Sequence, residues 1–134
     1  YAPNIEGSYT VLNNDQPIFQ VDGQGEAEDP FLWKDSKGYH AIFKDHVAKY
    51  TGERGGGVMA HSTGGVHWTV DKDPKAYSRT VEWEDGKVEM QGQLERPFLL
   101  FENGKATHAF FATMDGPGGF ENATKSWNMV IPLK

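Results

Sequence analysis

Glu28-Asp29-Pro30-Phe31-Leu32-Trp33-Lys34-Asp35 returns later in the chain as Glu95-Arg96-Pro97-Phe98-Leu99-Leu100-Phe101-Glu102. Each copy runs through a glycine-containing turn, Lys37-Gly38 or Asn103-Gly104-Lys105, into a second apolar run. Those runs are His40-Ala41-Ile42-Phe43 and His108-Ala109-Phe110-Phe111. Self-similarity at a fixed spacing marks a repeat architecture, in which each unit buries its apolar face against the next. A second likeness extends the pattern backwards, from His67-Trp68-Thr69-Val70 to Ser8-Tyr9-Thr10-Val11, each preceded by glycine. The chain therefore divides into the tail of an earlier unit over residues 1–22, a whole unit over 23–90, and a further unit with a closing strand over 91–134, all within one partial domain.

Within the whole unit, short aromatic and β-branched runs bounded by Gly, Asp and Ser predict strands near 30–34, 39–44, 57–62 and 67–70. Four short antiparallel strands make one blade of a β-propeller. Thr80-Val81-Glu82-Trp83 and Lys87-Val88-Glu89-Met90 predict a further hairpin around Glu84-Asp85-Gly86, whose Asp-Gly suits the positive backbone angles of a tight turn. Trp127 to Leu133 reads as a closing strand, with Pro132 at an edge or a strand end because it has no N–H to donate. The expected fold class is all-β: a β-propeller fragment of about two four-stranded antiparallel blades plus the tail of a preceding blade. Propellers carry about four to eight blades, so closure requires further blades upstream or self-association of several chains, the alternative being a smaller sandwich built from similar strand units.

Composition agrees with many turns and few helices. Sixteen glycines and seven prolines are scattered without period among 134 residues, of which 37% are hydrophobic. A formal net charge of −6 and the lack of any basic run argue against nucleic acid as a partner, because phosphate binding needs clustered Lys and Arg. Small neutral or cationic partners are easier to accommodate. No apolar run reaches the roughly 20 residues of a membrane-spanning helix, so no membrane partner is expected. Without cysteine there is no disulfide, thiolate or Cys-ligated zinc. The compartment stays open, a secreted or periplasmic one being slightly favoured, and a chain starting Tyr-Ala-Pro reads as cut from a longer product.

These residues resemble a known family. Glu-Asp-Pro-Phe-Leu-Trp and Leu-Glu-Arg-Pro-Phe-Leu-Leu, each followed by a turn and an aromatic strand, are similar to the five-bladed propeller glycoside hydrolases, the clan of arabinanases, xylosidases and invertase-like enzymes. The stretch from Gly55 to Thr69 is similar to their third and fourth strands, and the likeness spans about residues 5 to 115. The resemblance implies glycosidic-bond hydrolysis by three acids on successive blades: a base or nucleophile, an Asp that tunes the site, and a Glu that protonates the leaving oxygen. It implies Asp29 as the tuning acid and Glu95 as the general acid, with the first acid outside this chain.

Glycoside cleavage rests on carboxyl groups placed across the bond, and inner strands of successive blades bring matching positions to one channel. By repeat position, however, Glu28 is the counterpart of Glu95 and Asp29 that of Arg96, so Glu28 joins the catalytic candidates. Neighbours in a regular strand point to opposite faces, and a bulge beside Pro30 is needed for both Glu28 and Asp29 to face the channel. The plainer alternative pairs these acids with Arg54, Arg79 and Arg96. Candidate substrate contacts are His61, His46, Trp33 and Arg96, whereas His40 and His108, at equivalent repeat positions, read as packed blade residues. No spacing of His and carboxylates argues for a metal, and no cofactor is expected. A non-catalytic carbohydrate-binding or protein-interaction module is the competing function.

Overall fold

The computed structural model describes residues 1–12, 17–19, 27–116 and 118–134. It is all-β. Among the described residues nine strands form three antiparallel sheets, none closed into a barrel. β1 (Ala27–Asp35), β2 (Gly38–Asp45), β3 (Gly57–Ser62) and β4 (Thr69–Tyr77) make a four-stranded meander. β5 (Thr80–Glu82) pairs with β6 (Val88–Met90), and β7 (Gln93–Glu102), β8 (Lys105–Met114) and β9 (Ser126–Pro132) make a three-stranded meander.

Turn chemistry explains the hairpins. Asn103 and Gly104 join β7 to β8 with φ of 51° and 78°, the two positive angles of a two-residue turn that matches strand twist. Between β1 and β2 the Asp35 carboxylate accepts the Lys37 N–H at 2.7 Å, and Gly38 turns at φ 135°. In the β5–β6 connection only Gly86 of the Asp-Gly pair takes a positive φ, 81°. Pro132 ends β9, an edge strand, and Pro74 lies where the β3–β4 register shifts.

Two expectations about strands are modified. β1 starts earlier than expected, and β4 continues through a polar stretch to Tyr77, because pairing with Gly57 and Val58 supplies the ladder that composition did not announce. Ser8 to Val11 form no strand; Tyr9 and Val11 stay 69% and 71% exposed, so no apolar face is there to hold one in place. The expected tail of an earlier unit also runs into residues 13–16 and 20–22, outside those described.

Alternation decides the packing. Ile42 looks to one face of β2, where it joins Leu94, Leu99, Ala109, Phe111 and Met129 of the second meander in a core flanked by Phe31, Trp33, Met59, Tyr77 and Trp83. Phe43 looks to the other face, where it joins Val58 and Ala60 beneath Phe19, Tyr50, Trp68 and Val70. The first meander is therefore apolar on both faces. The second is buried on one only: on its far face Phe98 pairs across to Phe110 and Phe110 to Val130, with Phe98 51% and Val130 49% exposed.

Leu94 is fully buried between the meanders. Leu94→Ala is expected to cost about 2–5 kcal/mol by removing buried methyl groups and leaving a cavity. Val130→Ala, on the open face, should cost well under half as much. Denaturant unfolding of both variants checks the ordering.

Candidate functional site

The two repeat copies share one backbone irregularity. The β1–β2 register shifts between Glu28 and Phe31, and the β7–β8 register shifts between Glu95 and Phe98. At the centre of each bulge the residue before proline takes a left-handed conformation, φ 50° at Asp29 and 52° at Arg96. Such angles are uncommon for residues with a Cβ, cost on the order of 1–3 kcal/mol, and persist only where surroundings impose them. The two bulged strands lie side by side, with the rings of Phe31 and Phe98 5.1 Å apart, edge to face.

Across the first meander, Glu28 stands opposite Lys44, Lys44 opposite Gly57, and Gly57 opposite Tyr77. This row ends against β7. The Lys44 ammonium donates to Glu28 Oε2 at 3.2 Å and to Glu95 Oε1 at 2.7 Å, joining the two repeat-equivalent acids from separate sheets. Lys44 and Glu95 are buried, while Glu28 keeps about a third of its side chain exposed. His46 Nδ1 approaches the same Glu28 oxygen at 3.3 Å. Burial pushes the Glu28 carboxyl up, but Lys44 and His46 outweigh it and hold the group below its ordinary 4.5.

Tyr77 completes the row. Its ring lies directly on Gly57, where any Cβ would collide with it, and its hydroxyl donates to the Leu94 carbonyl at 3.3 Å. Burial, and then the charges of Asp29 and Glu95, push the phenol above its usual range, so it stays a neutral donor. Arg96 Nε lies 3.8 Å from Asp29 Oδ1, with the guanidinium side chain 71% exposed. The plain pairing of Asp29 with Arg96 is thus realised, and Arg79 meets Glu53 rather than the repeat acids.

The remaining sequence candidates separate. His46 joins the carboxylates, whereas Trp33 and His61 belong to the far end of the sheet, in register through His40, some four residues along β2 from Lys44. Four residues of strand span about 13 Å. There Trp33 stacks on His40 at 5.1 Å, His40 meets Asp35 at 3.0 Å, and exposed His61 meets Asp71 at 2.6 Å. His108 is half-buried against the Thr107 hydroxyl. Among the described residues no group of three or more His, Asp and Glu side chains converges as metal ligands would.

Two residues absent from the sequence reading organise the site. Lys44 is a charge inside an apolar run, Ala41-Ile42-Phe43-Lys44-Asp45, and that interruption was its available signal. Asp45, next to it and 2% exposed, cages the following loop by accepting the N–H groups of Lys49, Tyr50 and Thr51 and the Thr51 hydroxyl, all within 3.0 Å. Glu53 ties that loop to the β4–β5 link through Ser78 Oγ and the Arg79 N–H. This loop carries His46 and Arg54 to the mouth of a cavity of about 370 Å³, walled also by Lys44, Arg79 and Gln93.

The carboxylate oxygens of Glu28 and Glu95 are separated by no more than the sum of their distances to Lys44. That falls short of the roughly 6.5–9.5 Å at which an inverting pair admits water, and an ammonium occupies the gap. As it stands the arrangement is a triad of one ammonium shared by two carboxylates, beside a cavity lined by further cations. No protein-family profile matches the chain, and neither curated proteins nor solved structures gave a match.

Lys44→Met should cost about 3–5 kcal/mol near neutral pH, since it strands two carboxylates. Without the ammonium, burial regains weight and Glu28 should titrate higher than in the parent protein. The stability penalty should then shrink as pH falls below 4.5. Carboxyl carbon NMR titration and denaturant curves at two pH values check both statements.

Asp45 shows the reverse dependence. Burial pushes its carboxyl up, yet the bonds from Thr51, Tyr50 and Lys49 hold it below the ordinary 3.8. Its contribution is therefore complete above 3.8 and lost as pH falls through the lower folded value. Asp45→Asn should cost about 1–3 kcal/mol at neutral pH and flatten the stability profile below 3.8, as thermal melts across pH would record.

Proposed function

We propose that the chain is part of a propeller protein acting on the glycosidic bonds of a poly- or oligosaccharide, with Glu95 and Glu28 as its site carboxylates and Asp29 as the acid that tunes them. One observation carries the reading: acids from equivalent bulges of two packed meanders converge on one nitrogen beside a cavity. Convergence of repeat-equivalent acids is what inner strands of successive blades produce, and backbone strain of this kind clusters at active sites and ligand clamps. Further support comes from the face-to-face packing of the two meanders and from the open apolar row of Phe98, Phe110 and Val130, which suits another blade. In this reading the remaining blades, and the third carboxylate, belong to further chain or to further copies. Arg96 and His46 lie close enough to the acids to contact a sugar.

A second reading has its own observation. Lys44 pairs with both acids and stands where a glycosidic bond would have to pass between them, which fits a carbohydrate-binding module without chemistry.

Binding and turnover of an oligosaccharide panel by the parent protein and by Glu95→Gln decide between them. Hydrolysis that falls by about 100-fold or more in Glu95→Gln, with sugar binding retained, is the expected result. Binding without turnover in the parent favours the module, and absence of sugar binding removes both.

A further inference from the structure

We propose that the cavity beside the carboxylate triad is a subsite for an anionic sugar, one that carries a carboxylate or a sulfate on its ring. The inference rests on the carbohydrate reading above and adds the substrate class. Its walls present Lys44, His46, Arg54, Arg79 and Gln93, with Phe120 at the rim.

The hydrogen-bond inventory of those walls is unbalanced towards donors. Lys44 has three ammonium protons and two carboxylate partners, which leaves one proton for a ligand. Arg79 donates through Nη1 to the Gly92 carbonyl at 2.8 Å and reaches the Met90 sulfur at 3.8 Å. Its buried Nε has no hydrogen-bond partner, the nearest Glu53 oxygen being 4.0 Å away. Arg54 is exposed and, among the described residues, has neither an ion-pair nor a hydrogen-bond partner. Arg79 Nε is sealed from solvent, so Arg79 contributes charge to the wall, while the exposed Arg54 guanidinium, unpartnered among the described residues, is the fork that a ligand can reach. Such a fork matches a carboxylate or sulfate through two parallel bonds.

Shape narrows the ligand to a ring that carries the anion. Phe120 is 69% exposed at the cavity rim, an apolar surface against which one face of a sugar ring can lie. Gly119 holds the turn that presents it, at φ 70° and close against the Gln93 amide. On the opposite wall Gly55, at φ 82°, leaves room for the Arg79 and Gln93 side chains, since a Cβ there would stand 3.1 Å from Arg79 Cδ. Glu121 also lies on the lining, and its charge at the mouth disfavours a densely charged polyanion while admitting one anionic group per ring.

Calorimetric titration of the protein tests this with three probes: a uronate trisaccharide, the same trisaccharide methyl-esterified, and a monosulfated neutral trisaccharide. The uronate is expected to bind about tenfold or more tightly than its ester, the worth of one charge-assisted bond pair. Arg54→Gln should lower that ratio by about tenfold, and because Arg54 is exposed the variant should melt with the parent. Sulfate bound as tightly as uronate assigns the subsite to sugar anions in general, and uronate bound alone assigns it to carboxylates. Equal affinity for uronate and ester, or a ratio indifferent to Arg54→Gln, overturns the subsite while leaving the carbohydrate reading in place. Failure of every probe and of neutral oligosaccharides overturns both.

Discussion

Lys44 is a buried cation, and a buried cation is tolerated only when opposite charge is paired with it. Its two partners come from different sheets, Glu28 on β1 and Glu95 on β7. The ion triad therefore constrains three strands at once: β2, which carries the nitrogen, and the two bulged strands that bring the oxygens. Removing Lys44 leaves two carboxylates without a cation at the junction of the meanders. The apolar core between the sheets supplies most of the driving force, because burial of Ile42, Leu94, Leu99 and Phe111 is nondirectional and proportional to area. The triad adds direction. It accepts only the register in which the two repeat copies stand level.

The bulges follow from the same requirement. A regular strand would aim Glu28 and Asp29 to opposite faces. The extra residue in each copy turns Asp29 and Arg96 into the left-handed region and frees Glu28 and Glu95 to face Lys44, while proline after each of them needs no ladder hydrogen bond. Asp29 and Arg96 carry opposite charges and meet across the strand pair, so the strained positions are also electrostatically matched. Around this junction the fold commits its irregular chain to support. Asp45 cages the β2–β3 loop, Glu53 anchors it to the β4–β5 link, and together they set His46 and Arg54 over the cavity.

Much of the architecture was legible in the residues. The repeated Glu-x-Pro-Phe-Leu run, the Gly-marked turns and the alternating apolar runs located β1, β2, β3, β7, β8 and β9, because period-two burial and turn chemistry are local properties. The equivalence of Glu28 with Glu95, read from the repeat, corresponds to a contact, since the two acids share one ammonium. Trp33 and His61 show the limit of such reading. Residue type suggested sugar contact, yet register sets both at the far end of the strands from Lys44 and His46, and register between strands is decided by partners distant in sequence.

By itself, then, the sequence determined an all-β chain, two related units, the turns between their strands and the positions of the acids, all of which follow from spacing, propensity and repetition. Tertiary structure alone decided that Lys44 lies between Glu28 and Glu95, that Tyr77 covers Gly57, and that Arg54, Arg79 and Gln93 wall one cavity. Each of those facts depends on side chains brought together across sheets and loops, and the energies that select them, desolvation and charge matching in a low-dielectric interior, act on distance in space and have no counterpart in local spacing.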